Sequence, residues 1–209
     1  MFSSPTLEPV PYPPPPWNLS GQSWLGFFRA DTAPTLPNEY RHFLAPRYVA
    51  VSMIRYLSGT LQYDELIVGS MALHRGRVGL FVHHIWVDDL ASLWGGRKIW
   101  GLNKQMAVFA WEKNIVKVSD ADGLIIELEV NQENALLPPL PMPMPSFGQL
   151  DGKSLFTIGK ITARLGKAGV RIKESSARFG FQLSETPIFS VAGKPFSMTF
   201  VPPKILASN

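Results

Sequence analysis

The sequence predicts a mainly β protein of the α+β type, an antiparallel sandwich or barrel with a few short helices. Three observations carry this: β-branched and aromatic runs recur along most of the chain, glycine and proline punctuate them, and helix signals are confined to two short stretches.

Residues 1–16 hold seven of the nineteen prolines and end in Pro13 to Pro16, so they are read as an extended polyproline arm. Strand-like runs follow at Trp24 to Arg29, Tyr48 to Tyr56, Glu65 to Leu73, Val78 to Val87 and Gly123 to Val130. The last alternates Leu124, Ile126, Leu128 and Val130 with Ile125, Glu127 and Glu129, the period of a sheet with one buried face. Val78 to Val87 is apolar on both faces and is expected to be central. A short helix is expected from Pro37 to Leu44, and another from Asp88 to Gly95, where Asp88 or Asp89 can cap the first turn.

A second proline cluster, Leu137 to Pro145, has no free run of backbone donors and is read as a connection. Beyond it, Phe156 to Arg164, Val170 to Lys173, Ala177 to Leu183, Pro187 to Val191 and Phe196 to Val201 are again strand-like. At 209 residues the chain suits the arm followed by one domain over 17–209, large enough to bury a core without staples.

Composition narrows the functions. No cysteine is present, which removes thiol chemistry, disulfides and Cys-ligated zinc and is compatible with a cytoplasmic home. The net charge of +4 is spread without a basic block, so no nucleic-acid partner is expected. No apolar run approaches the ~20 residues that span a bilayer, so no membrane association is expected either. The Asn18-Leu19-Ser20 sequon lacks a preceding secretion signal and is read as chance.

The chemistry is sought in Gly95-Gly96-Arg97-Lys98-Ile99-Trp100-Gly101-Leu102-Asn103-Lys104-Gln105, a glycine-punctuated segment taken as a loop after the capped helix. Together with Tyr63-Asp64-Glu65 and Gly79 to Asp89 upstream, in unbroken spacing, it resembles the acetoacetate decarboxylase family, in which Gly-Arg-Glu leads to Pro-Lys-Lys. Weaker similarity in Lys160-Ile161-Thr162, Ala177-Arg178 and Phe200 to Pro203 extends the resemblance over roughly residues 24–203.

This resemblance implies a cone-shaped β-barrel or double sheet, a homo-oligomer, no cofactor, and a Schiff-base lysine at Lys104. A lysine attacks a ketone only as the free amine, and an unperturbed pKa of ~10.4 leaves well under a thousandth of it neutral at pH 7. Such sites activate the amine by desolvation or by a neighbouring cation. Glu65 is, by resemblance, the acid that shares the pocket and handles a proton. Trp86, Trp94 and Trp100 are candidate apolar walls for a keto or apolar ligand, with His84 and Arg29 as further substrate-side candidates. Arg97 joins that set, although the arginine of Gly-Arg is read first as structural.

Several positions depart from the family pattern. Gln105 replaces the second lysine, Lys98 the glutamate and Asn103 the proline, while Ala50 falls where a second pocket glutamate is expected and Gly21 near a substrate-side arginine. Two functions therefore stand side by side: a cofactor-independent lyase, decarboxylating or aldol-type, acting through an imine on Lys104, and a non-catalytic binder of a lipophilic molecule. A third, in which Pro13 to Pro16 serve as a polyproline ligand, has only composition behind it. No metal site is expected, because neighbouring residues on a strand face opposite ways, so His83 and His84 cannot both join one site, and His42 and His74 add no ligand spacing. Asp88-Asp89 is read as a helix cap in preference to a catalytic pair.

Overall fold

The computed structural model describes residues 8–43, 45–135 and 137–206. In chain order its elements are β1 (Trp17–Arg29), β2 (Arg41–His42), β3 (Tyr48–Gly59), β4 (Tyr63–His74), β5 (Arg77–Val87), α1 (Leu90–Trp100), β6 (Gln105–Met106), β7 (Val108–Glu112) and β8 (Ile115–Asp120). There follow β9 (Gly123–Ala135), β10 (Leu140–Leu150), β11 (Lys153–Ser175), a 3-10 turn (Ala177–Phe179), β12 (Phe189–Phe200) and β13 (Lys204–Ile205). The mainly β class and the five strands expected before residue 131 are present, each lengthened at one end or both. No helix among the described residues is long and apolar enough to cross a membrane.

Strand pairing runs β5-β4-β3-β1-β12-β11-β10, and β10 pairs in turn with β5, so the path returns on itself. Every junction is antiparallel except β10 with β5. The far half of β11 leaves this ring and carries β9, β8 and β7 as a second layer. Between the layers lies a core in which Phe28, Val51, Leu66 and Val68 meet Val116, Ile126, Leu128 and Val170. Because side chains alternate across a strand, the opposite faces of β1, β3 and β4 are left pointing into the ring.

From Leu140 onward the proline cluster is a strand and not a connection. Pro141, Pro143 and Pro145 lie within β10, two residues apart, so their missing N–H groups fall on one side of the strand, and Met142, Met144 and Ser146 keep donors for the other. That other side is paired with β11 over its whole length. On the proline side, pairing to β5 involves only Ser146 and Phe147, immediately past the last proline. The Asp151-Gly152 turn, with both residues at positive φ, closes the β10–β11 hairpin in the manner such turns favour.

Four further expectations are corrected. Residues 37–43 form a turn and β2 instead of a helix, and Leu44 lies outside the described residues. The helix expected to stop at Gly95 runs to Trp100, its glycines held by packing described below. Phe156 to Lys173 is one strand, and Ala177 to Leu183 holds a 3-10 turn capped by Ser176, not a strand. Finally, the β4–β5 register shifts between Val68 and Gly69, so that His83 is an extra residue and both histidines face the same concavity. Residues 8–16 form no helix or strand and lean on the rest of the chain: Trp94 Nε1 donates to the Glu8 carbonyl at 3.1 Å and Trp17 Nε1 to that of Pro13 at 2.9 Å. Residues 1–7 lie outside the described residues.

Candidate active site

Alternation along β4 sends Tyr63 and Glu65 into the ring and Asp64 outward, where Asp64 accepts from Arg55 and from Trp111 Nε1. On β3 the same alternation aligns Ala50, Ser52, Ile54 and Tyr56 inward. These faces, with Leu25 and Phe27 of β1, Met144 of β10 and Met198 of β12, enclose a cavity of about 320 Å³. Its lining is apolar except for two tyrosines, two serines, Glu65 and Lys104.

Helix α1 covers the part of this cavity where Trp17, Trp100 and Lys104 meet. Asp89 caps it, accepting from Ser92 N at 2.6 Å, and Asp88 accepts from Asp64 N at 2.8 Å, which ties the helix start to β4. A Cβ at Gly95 would lie 2.5 Å from the Trp17 ring, and one at Gly96 would lie 2.5 Å from Lys104 Cδ. Glycine costs a helix about 1 kcal/mol relative to alanine, so these two residues weaken the helix locally and are accommodated because nothing larger fits. Gly101 ends the helix in the left-handed conformation, φ 64°, and the chain then turns so that Lys104 N donates to Leu102 O at 2.8 Å.

Lys104 points back under the helix. Its Nζ donates to Glu65 Oε2 at 2.6 Å and to Ser92 Oγ at 2.9 Å, with Tyr63 OH at 3.5 Å. Lys104 and Glu65 are each 4% exposed. The second carboxylate oxygen of Glu65 accepts from Tyr56 OH at 3.0 Å, so both oxygens are occupied. Burial first, and the Glu65 carboxylate next, push the Tyr56 and Tyr63 phenols well above their ordinary range, so both remain protonated. The arrangement is a buried amine with a proton acceptor within one hydrogen bond and an apolar space beside it.

The sequence-predicted residues divide accordingly. Lys104, Glu65 and Trp100 come together at the cavity, with Trp100 fixed by a 2.8 Å bond from its Nε1 to Val201 O. Trp86 does not reach it, because it pairs opposite Leu66, on the other face from Glu65, and is buried between the layers. Trp94 packs outside the cavity under the arm, with the Arg97 guanidinium 5.5 Å from its ring centroid. Arg97 Nε donates to Lys104 O at 2.8 Å, which ties it to the backbone of the lysine, and Lys98 is exposed. Arg29 is exposed at the end of β1. His84 stacks on Trp86 and, with His83, lines a wider concavity of about 850 Å³ that includes neither Lys104 nor Glu65. Burial lowers the pKa of both histidines, that of His83 to about 4.

Sequence reasoning did not single out Ser92, Tyr56 or Trp17. Ser92 lies four residues before Gly96 on one helix face, and Tyr56 continues the inward stripe of Ala50, Ser52 and Ile54, so both follow once Lys104 is placed. Ala50 lines the cavity without a carboxylate, and Gly21 sits at a bulge where a side chain would run into the Arg55 carbonyl. Among the described residues, no group of three or more metal-ligating side chains forms a site.

A mainly β double-layered fold with a lysine–glutamate pair buried in its cavity defines the class. The family model for acetoacetate decarboxylase matches residues 36–146, more than half of the chain, and the protein belongs to that family. An acetoacetate decarboxylase from Legionella pneumophila subsp. pneumophila str. Philadelphia 1 superposes with a TM-score of 0.65 at 18% identity, covering 99% of this chain and 93% of that one. The enduracididine biosynthesis enzyme MppR complexed with pyruvate gives 0.63 at 16% identity, with 98% and 93% covered. An acetoacetate decarboxylase-like enzyme from Sphingomonas wittichii RW1 gives 0.58 at 13% identity, with 93% and 94% covered. No curated protein matches by sequence. At these identities the superpositions establish the fold, and the family model places the chain among decarboxylase-like lyases.

Proposed function

We propose that the protein is a cofactor-independent Schiff-base lyase acting on a keto acid or a larger apolar keto compound through an imine on Lys104. The observation that supports this reading best is the Lys104 amine, buried beside an apolar cavity with the Glu65 carboxylate 2.6 Å away. The ammonium proton passes to Glu65, and the free amine adds to the carbonyl carbon. Glu65 gives that proton back as water is lost, which leaves a protonated imine. From a 3-oxo acid, the bond to the carboxylate breaks, carbon dioxide departs, and the electron pair moves to nitrogen to give an enamine. A proton taken up from water and delivered through Glu65 is added to the enamine carbon, and hydrolysis of the imine releases the ketone and restores the amine. Ser92 holds Nζ in line during these steps, and Tyr56 holds Glu65. On this reading the enzyme works as a homo-oligomer in the cytoplasm.

A second reading, a binder of a lipophilic molecule that has lost the chemistry, draws on Ala50 and Gln105, where the family pattern calls for a second glutamate and a second lysine. Borohydride trapping against 3-oxo acids, 2-oxo acids and larger apolar ketones, mapped by peptide mass spectrometry with Lys104→Ala as control, separates the two. A reduced adduct confined to Lys104 is expected, and adduct levels no higher than the control with every compound would favour the binder.

A further inference from the structure

The cavity holds one cation and one anion, and they are already paired. Among the described residues that line it, only Lys104 and Glu65 are charged. The hydroxyl of Tyr56 is committed to Glu65 and that of Tyr63 faces Lys104, and the remaining polar walls, Ser52 and Ser146, bring no charge. Both tyrosines stay neutral, so neither alters this balance.

Imine formation conserves that balance. An ammonium and a carbonyl give a protonated imine and one water, so the positive charge stays on the same nitrogen, and the Glu65 carboxylate neutralises it as before. A free keto acid breaks the balance by adding a second carboxylate against a single cation. Against so apolar a lining an unmatched charge is strongly disfavoured unless a proton enters with it. A carbonyl compound without a carboxylate adds no charge. The size of the space agrees: about 320 Å³ is room for roughly ten water-sized groups, more than a four-carbon keto acid fills.

We propose, resting on the imine reading above, that the substrate is an uncharged ketone with an apolar tail and that the cavity discriminates against the free acid of the same skeleton. For such a substrate the first step after imine formation is loss of an α-proton to Glu65. The C–H bond breaks, its pair forms the carbon–carbon double bond of the enamine, and the pair of the C=N bond moves to nitrogen. This sequence needs no co-reactant and is reversed by the same proton.

The test uses one skeleton in two charge states that cannot decarboxylate, 7-oxooctanoate and its methyl ester, each titrated against the intact protein with cyanoborohydride and read as mass added at Lys104. The ester is expected to reach half-maximal labelling at roughly 100-fold lower concentration than the acid, the scale of an uncompensated buried charge. Labelling by the acid at equal or lower concentration would overturn the proposal and leave the imine reading standing. No adduct with either would overturn both. Ser52→Lys, which adds a cation to the wall, is expected to narrow the ratio to within ~10-fold. An unchanged ratio in the folded variant contradicts charge exclusion, and the wild-type comparison stands by itself if the variant does not fold.

Discussion

The two faces of β3 and β4 are built from the same strands and have opposite fates. Outward, Val49, Val51, Met53, Leu66 and Val68 are buried in one hydrophobic cluster with residues of β8 and β9 in the second layer. Inward, Ala50, Ser52, Ile54, Tyr63 and Glu65 border an unfilled space with a charged pair at one side. Stability is concentrated where the packing is complete, and chemistry where it is withheld. The inner face can host a lysine and a glutamate because the outer face supplies the burial that keeps the strands in place.

That contrast can be broken by substitution. The largest effect is expected for Phe28→Ala, which empties a fully buried site between the layers: a loss of about 3–5 kcal/mol, read as a fall in the urea midpoint, with trapping at Lys104 unchanged in the folded fraction. If trapping collapses in protein that is still folded, the faces are not independent. Next, Glu65→Gln removes the proton acceptor while keeping the side-chain shape and is expected to slow turnover by at least ~100-fold, with a far smaller change in unfolding midpoint. Turnover within a few-fold of wild type would take Glu65 out of the mechanism.

A smaller effect is expected from Gly96→Ala, whose methyl group would press on the Lys104 stem. Overpacking of this kind costs ~1–3 kcal/mol, and here it should also weaken trapping, because the amine is pushed off Ser92 and Glu65. Stability loss without an effect on trapping would mean that the helix moves and the lysine does not.

The smallest effect on the Lys104 site concerns the other concavity. His83 has a pKa of about 4 in the folded protein against 6.5 unfolded, so the unfolded chain binds the extra proton first as pH falls. Stability from this group is complete above pH 6.5, declines toward pH 4 by up to about 1.4 kcal/mol per unit, and levels off below. His83→Gln should flatten that part of the pH profile and leave Lys104 chemistry as it was. An unaltered profile would show that the histidine is not shielded.

Much of this division was legible in the chain. Runs such as Tyr48 to Tyr56 and Glu65 to Leu73 mark strands by residue type alone, and Lys104 and Glu65 follow from motif resemblance and spacing. Trp86 and Trp94 were misplaced because an apolar side chain does not announce which face it takes. The phase becomes readable only once Glu65 is fixed inward, which puts Trp86, opposite Leu66, outward. His83 and His84 share a concavity through a one-residue bulge that alternation cannot foresee. The prolines of β10 look like a linker by composition, and their two-residue spacing becomes strand-compatible only beside β11. Gly95-Gly96 reads as a helix stop by propensity, yet contact with Trp17 and Lys104 decides otherwise.

The central claim is that Lys104 exchanges its amine with a carbonyl oxygen, and oxygen exchange tests it without a trapping reagent. With 2-heptanone in oxygen-18 water, every cycle of imine formation and hydrolysis replaces the carbonyl oxygen with one from solvent, and mass spectrometry of the ketone counts the cycles. The wild-type protein is expected to accelerate exchange well above buffer, and Lys104→Ala is expected to match buffer. Exchange no faster than buffer with the wild type, or exchange that survives in Lys104→Ala, would contradict the account.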